Sequence, residues 1–176
     1  MFIASVLKDI VNTYVEPEKV IQELNRRFNQ LHIENQLVQY YFTAIYLVVD
    51  TKYKKIDYVN AGHPPAIFYH GSNQAIKLDV VCSPVGLFDK IDATTQTIPY
   101  EDEGHIVMYT DGLMEVIEGA REEQMDMLDK TFRGSHFFNK GEMQAIFFDD
   151  QVLQEREDDK CLVWISLKDS SIDNMV

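Results

Sequence analysis

GHIVMYTDGLMEV, Gly104 to Val116, is the stretch on which the fold turns. Its His105 to Thr110 portion has the apolar, strand-forming character of a buried β-strand. The strand ends on Asp111-Gly112, a carboxylate followed by a residue that lets the backbone turn sharply. Such a strand delivers its carboxylate to the rim of a sheet, where it is well placed to hold a cation. The same Asp-Gly pair also makes a plain turn, and this segment alone does not separate the two readings.

A second acidic segment, EREDDKCLVWISL (Glu155 to Leu167), places Asp158 and Asp159 just before another strand, Leu162 to Leu167. Paired carboxylates at a strand mouth suit Mg²⁺ or Mn²⁺, which prefer hard oxygen ligands. Taken alone, the run reads equally as a solvated acidic loop. Its force comes from combination, because two Asp-bearing strand ends converge if the strands are neighbours.

Upstream, Ile3, Leu7, Ile10, Val11 and Tyr14 share a helical face. A second helix starts at Pro17, with Val20, Leu24, Phe28 and Leu31 as its apolar stripe. Phe42 to Val49 is apolar enough to predict a central strand. Hairpin turns fall at Asp50 to Lys54 and His70 to Asn73, joining Lys55 to Ala61, Ala66 to Tyr69 and Gln74 to Leu78 into a mainly antiparallel set. Thr94 to Ile98 reads as an edge strand. A helix is predicted over Glu142 to Gln154, with Met143, Ile146, Phe147 and Leu153 on one face and Asn139 with Glu142 as a capping box. The tail, 169–176, has no periodicity and is expected to be disordered. This order predicts one α+β domain with helices on a sheet or on a sandwich of sheets.

The chain has 176 residues, 45% of them hydrophobic, which suffices for a core without staples. A formal charge of -13 opposes binding to a phosphate backbone, so nucleic acid is excluded as a partner. No apolar run is long enough to span a bilayer, and no signal peptide is legible. The two cysteines, Cys82 and Cys161, lie beside apolar residues and are expected to be buried or half-buried thiols, as fits a reducing cytoplasm.

FTAIYLVVD (Phe42–Asp50), YVNAGHPPAIF (Tyr58–Phe68), SPVGLF (Ser83–Phe88), GHIVMYTDGLMEV and DDKCLVWI (Asp158–Ile165) occur in this order along the chain. Together they resemble the PPM-type metal-dependent serine/threonine phosphatases, in the branch of stage II sporulation protein E and the RsbU-like sigma-B regulators. That resemblance implies an antiparallel β-sandwich flanked by helices, with a binuclear Mn²⁺ or Mg²⁺ site at one end. Asp111 matches the aspartate of the family's TDG motif and Asp158 the first of its DD motif; both are implied as catalytic metal ligands, with Asp159 in the same candidate metal set. Hydrolysis by metal-activated water, without a covalent phosphoenzyme, is the implied chemistry.

The resemblance covers residues 1–168 as a partial phosphatase domain. The family's upstream strands and GDVSGHG-like motif are absent from this sequence, so an N-terminally truncated domain with an incomplete metal site is expected. The implied substrate is a phosphorylated anti-anti-sigma-type protein, under control of an upstream sensory or receiver domain, in bacterial stress or sporulation signalling. A chain of this kind is also compatible with a homodimer. The alternative is a catalytically incomplete module that only binds a regulatory partner.

Gly62, His63, Pro64 and Pro65 complete the AGHPP signature. Two prolines make this a rigid turn, so His63 is expected to orient a loop by hydrogen bonding and not to act in catalysis. Ser83, Pro84 and Gly86 read as a tight loop, Ser83 having no partnered base to make it a nucleophile. Cys161 stands where the family carries Thr or Ser.

Overall fold

The computed structural model describes residues 2–35, 41–70, 74–101, 103–115, 117, 119–134, 140–148 and 159–167. In chain order the elements are α1 (Phe2–Thr13), α2 (Pro17–Asn35), β1 (Ala44–Asp50), β2 (Lys55–Ala61), β3 (Ala66–His70), β4 (Gln74–Leu78), β5 (Gln96–Pro99), β6 (Gly104–Tyr109), α3 (Gly112–Glu115), α4 (Arg121–Gly134), α5 (Lys140–Phe147) and β7 (Leu162–Leu167). They form an α+β chain with two antiparallel sheets, as the sequence predicts, and they fall into two compact units.

The first unit spans Met1–Pro65 and Leu78–Glu101. Its sheet has the order β1-β2-β5, paired Ala44↔Ala61 through Asp50↔Lys55 and Lys55↔Pro99 through Tyr58↔Gln96. The β1–β2 turn forms because the Asp50 side chain accepts the amides of Lys52 at 3.0 Å and Tyr53 at 2.9 Å, an Asx-type turn. The core joins Ile10 of α1 and Val20, Ile21 and Leu24 of α2 to Val59, Ala61 and Val85. Val11, expected on the buried face of α1, is instead exposed, and Val6 packs against the core.

The sequence predicts Phe42 to Val49 as a central strand, yet β1 is the end member of its sheet and every one of its residues is only half-buried. The central strand is β2. Apolar character reports how side-chain faces are covered, whereas position in a sheet depends on which backbones pair across long stretches of chain. β5 is peripheral, as expected.

The second unit spans Ala66–Lys77 and Asp102–Val176. Its sheet has the order β4-β3-β6-β7, with β6 pairing antiparallel to both neighbours. Ile106 and Val107, on opposite faces of β6, are both fully buried, as the sequence predicts for this strand. Tyr69, Val107 and Tyr109 build a core with Leu113, Leu128 and Phe132, closed by Met143 and Phe147 of α5. His105 stacks between Tyr69 and Trp164, with ring centroids 4.9 and 4.1 Å away. Helix α4 is tied to β3 by the Tyr69 hydroxyl, which donates to Asp129 Oδ1 at 3.1 Å, while Arg133 binds the same carboxylate. Burial and then the Asp129 charge push the Tyr69 hydroxyl far above its ordinary pKa.

Helix α5 ends at Phe147, and Ile146 is exposed, so the predicted apolar face narrows to Met143 and Phe147. Asn139 and the stretch through Gln154, including Leu153, lie outside the described residues, as does the 169–176 tail.

Candidate metal site at the end of strands β6 and β7

Because β6 and β7 run antiparallel with Tyr109 opposite Leu162, the end of one strand and the start of the other lie side by side. That adjacency sets Asp111 and Asp159, which follow and precede the paired stretches, at neighbouring strand ends. Beyond the last ladder pair, Thr110 continues the contact: its amide donates to Cys161 O at 3.1 Å, its hydroxyl donates to Asp159 O at 2.8 Å, and the Cys161 amide donates back to Thr110 Oγ1 at 2.8 Å.

Asp111 follows at once and opens a tight helical turn. Its carbonyl accepts the amides of Met114 at 2.8 Å and Glu115 at 3.3 Å, and Thr110 O accepts that of Leu113 at 3.0 Å. Leu113 and Met114 are buried beneath this turn. The backbone carrying Asp111 is thereby anchored from below while the residue itself stays exposed at the strand mouth. Asp159 is exposed too. Asp158 lies outside the described residues.

The donor chemistry fits a hard divalent cation, since Asp111, Asp158 and Asp159 supply carboxylate oxygens and no soft ligand. Among the described residues, no group of three or more His, Cys, Asp or Glu side chains gathers into a ready-made site. Cys161 is exposed, contrary to the expectation of a buried or half-buried thiol, because it precedes β7 and contacts Thr110 through its backbone. Cys82 is half-buried, as expected, and burial pushes its thiol up, with the Asp92 charge adding to this.

In the first unit, the AGHPP turn is built around a residue the sequence reading did not single out. Asn60 is fully buried and accepts the His63 amide at 2.9 Å, while its Nδ2 donates to His63 O at 3.0 Å and to Leu78 O at 3.1 Å. His63 thus takes part in loop orientation, and its Nδ1 lies 3.2 Å from the Thr43 hydroxyl. The Ser83–Gly86 loop is held in the same way from α2: Asn25 Oδ1 accepts the Gly86 amide at 2.8 Å, and its Nδ2 donates to Phe88 O and Asp89 O. A signal for both was present. Asn25 falls on the apolar stripe of Ile21, Leu24 and Phe28, and Asn60 is the one polar residue in Tyr58–Ala61, just before Gly62.

A chain of two antiparallel sheets with helices, with carboxylates at the mouth of a β6–β7 pair, has the architecture of a PPM-type phosphatase domain. Residues 1–168 match the family described as stage II sporulation protein E (SpoIIE), and the chain belongs to that family. It is 37% identical over 101 residues to the phosphoserine phosphatase RsbP of Bacillus subtilis (strain 168), an alignment covering 57% of this chain and 25% of that protein. The chain therefore spans about a quarter of this relative's length. Among solved structures it is similar to the PP2C phosphatase domain of SpoIIE from Bacillus subtilis with a fragment of its regulatory domain (TM-score 0.68, 13% identity, 94% of this chain and 49% of that one). It is also similar to the SiaA-PP2C domain of Pseudomonas aeruginosa (TM-score 0.64, 11% identity, 94% and 67%) and to the RsbU and RsbW domains of Rv1364c from Mycobacterium tuberculosis (TM-score 0.61, 16% identity, 75% and 36%).

Proposed function

We propose that the protein carrying this chain is a divalent-metal-dependent phosphatase that removes phosphate from serine or threonine of an anti-anti-sigma-type regulatory protein in the bacterial cytoplasm. The observation that carries this reading is the β6–β7 pairing, which sets the Asp111 turn and Asp159 at one end of a sheet. Membership of the SpoIIE family and the similarity to a phosphoserine phosphatase support the same substrate chemistry. Similar structures that carry a regulatory-domain fragment or an RsbW domain support control by an attached domain.

In this reading Asp111, Asp158 and Asp159 hold Mn²⁺ or Mg²⁺. A cation bound there supplies Lewis acidity and a water acidified enough to attack a phosphate ester. Asp111 contributes by presenting its carboxylate from a turn anchored by Leu113 and Met114, so little ordering remains to be done when the ligand arrives. Among the described residues, no helix is long and apolar enough to cross a membrane.

The test is phosphate release from a phosphoserine protein substrate by the whole protein, with Mn²⁺, with Mg²⁺ and with chelator. Turnover that needs metal and falls roughly 100-fold or more in Asp111→Asn is expected. Metal-independent turnover, or full activity in Asp111→Asn, overturns the reading. Tight binding of the phosphoprotein with no hydrolysis under any condition replaces it with the phosphatase-like binding module.

A further inference from the structure

We propose that Thr110 is a positioning residue for this metal site: its hydroxyl clamps the backbone of Asp159 and Cys161 to the end of β6 and so fixes where Asp159 stands beside Asp111. The inference rests on the reading of Asp111, Asp158 and Asp159 as the metal-binding set.

A threonine hydroxyl has one proton to give and lone pairs to receive with. Here it gives to Asp159 O and receives from the Cys161 amide, both at 2.8 Å, well within hydrogen-bond range. The β6–β7 ladder closes at Tyr109 and Leu162, so 159–161 has left the strand when Thr110 catches it. One of the two bonded residues is itself a member of the acidic pair, and Thr110 is the covalent neighbour of Asp111. The clamp therefore connects the two carboxylate-bearing segments directly. Threonine suits this role because a β-branched side chain is stiff about χ1, so the hydroxyl's position is fixed by the strand that carries it.

Thr110→Val preserves shape and branching while deleting both side-chain bonds, and Thr110→Ser keeps the hydroxyl on a freer rotor. In the whole protein, Thr110→Val is expected to retain its thermal midpoint within a few degrees. Exchange at the Cys161 amide should quicken by about 10-fold, and Mn²⁺ affinity, measured calorimetrically, should weaken by about 10-fold, the scale seen when groups that orient metal ligands are removed. Turnover at saturating Mn²⁺ should stay near the parent value while the Mn²⁺ concentration for half-activation rises. Thr110→Ser should recover most of both.

A readout on the unmodified protein covers the case in which Thr110→Val fails to fold. If the clamp and the metal site are coupled, Mn²⁺ must slow exchange at the Cys161 amide. Unchanged exchange on adding Mn²⁺, or parental Mn²⁺ affinity in a folded Thr110→Val protein, overturns the clamp while leaving the metal site standing. Parental Mn²⁺ affinity in Asp111→Asn overturns the site itself.

Discussion

Asn60 and His63 are tied twice, His63 donating its amide to Asn60 Oδ1 at 2.9 Å and accepting Asn60 Nδ2 on its carbonyl at 3.0 Å. A third bond runs from the same Nδ2 to Leu78 O, and the Asn60 carbonyl accepts the Val81 amide at 2.9 Å. One buried side chain thus organises the turn after β2 and the chain leaving β4. Asn60→Ala deletes all three side-chain bonds, a cost of about 3 kcal/mol. A thermal midpoint lower by about 6 to 12 °C is the expected result. Asn60→Asp keeps the acceptor but offers no proton to either carbonyl, so it should destabilise as well. A midpoint unchanged in Asn60→Ala would show that this hub contributes nothing net.

On α2, Arg26 binds both oxygens of Glu23 at 2.7 Å and Arg27 adds a third bond at 2.7 Å. The bond from Arg26 holds the Glu23 carboxyl at about 2 against an ordinary 4.5, with burial pulling the other way. A folded-state pKa below the unfolded one stabilises the fold above the unfolded value, and that contribution is lost as pH falls from about 4.5 through about 2. Glu23→Gln should cost about 0.5–1 kcal/mol at pH 7, a pair near the surface being partly screened. Urea midpoints of parent and variant should draw together between pH 4.5 and 2. A gap of equal size at pH 7 and pH 2.5 rules out the ion pair as its source.

What the sequence made legible was local. The buried character of Ile106 and Val107, the polar turn over Asp50 to Lys54 and the Pro17 helix start are written in short windows of residue type. The rank of β1 in its sheet was not, because Ala44–Asp50 looks equally apolar at an edge or in a centre, and only its pairing with β2 alone decides. Asn25 and Asn60 escaped for a related reason. Asparagine is ordinarily a surface or turn residue, and what makes these two interior is the distant set of carbonyls and amides that meets them. The site divides the same way: the TDG and DD segments were readable as candidate ligands, whereas the Thr110 contact across to Asp159 exists only once β6 and β7 pair.

Tyr69 and Asp129 give a second test of packing. Tyr69→Phe removes the hydroxyl, but Asp129 keeps Arg133, bonded at 2.9 and 3.1 Å, so the loss should be about 1 kcal/mol. Asp129→Ala takes away the acceptor of the buried Tyr69 hydroxyl and the Arg133 ion pair and should cost about 2 kcal/mol or more. Chemical denaturation of both variants measures the difference. The reverse order would mean that the carboxylate is satisfied mainly by water.

Gly62 tests whether the AGHPP turn and the Ser83–Gly86 loop are fitted to each other. Its φ of +74° lies in the left-handed region, where a side chain costs about 1–2 kcal/mol. A Cβ there would stand 2.7 Å from Pro84 Cγ and 3.1 Å from Pro84 Cδ, inside van der Waals contact with a ring that has little freedom to move away. Gly62→Ala therefore carries two costs, one in its own backbone and one against Pro84, and should destabilise by about 2–3 kcal/mol. The two separate in a double-mutant cycle. Pro84→Ala removes the atoms in the way, so Gly62→Ala made in that background should cost about 1 kcal/mol less than in the parent, the backbone share remaining. Thermal midpoints of the four proteins give the coupling directly. Equal costs in the two backgrounds would mean that Pro84 yields without resistance and that the left-handed backbone alone requires glycine at this position.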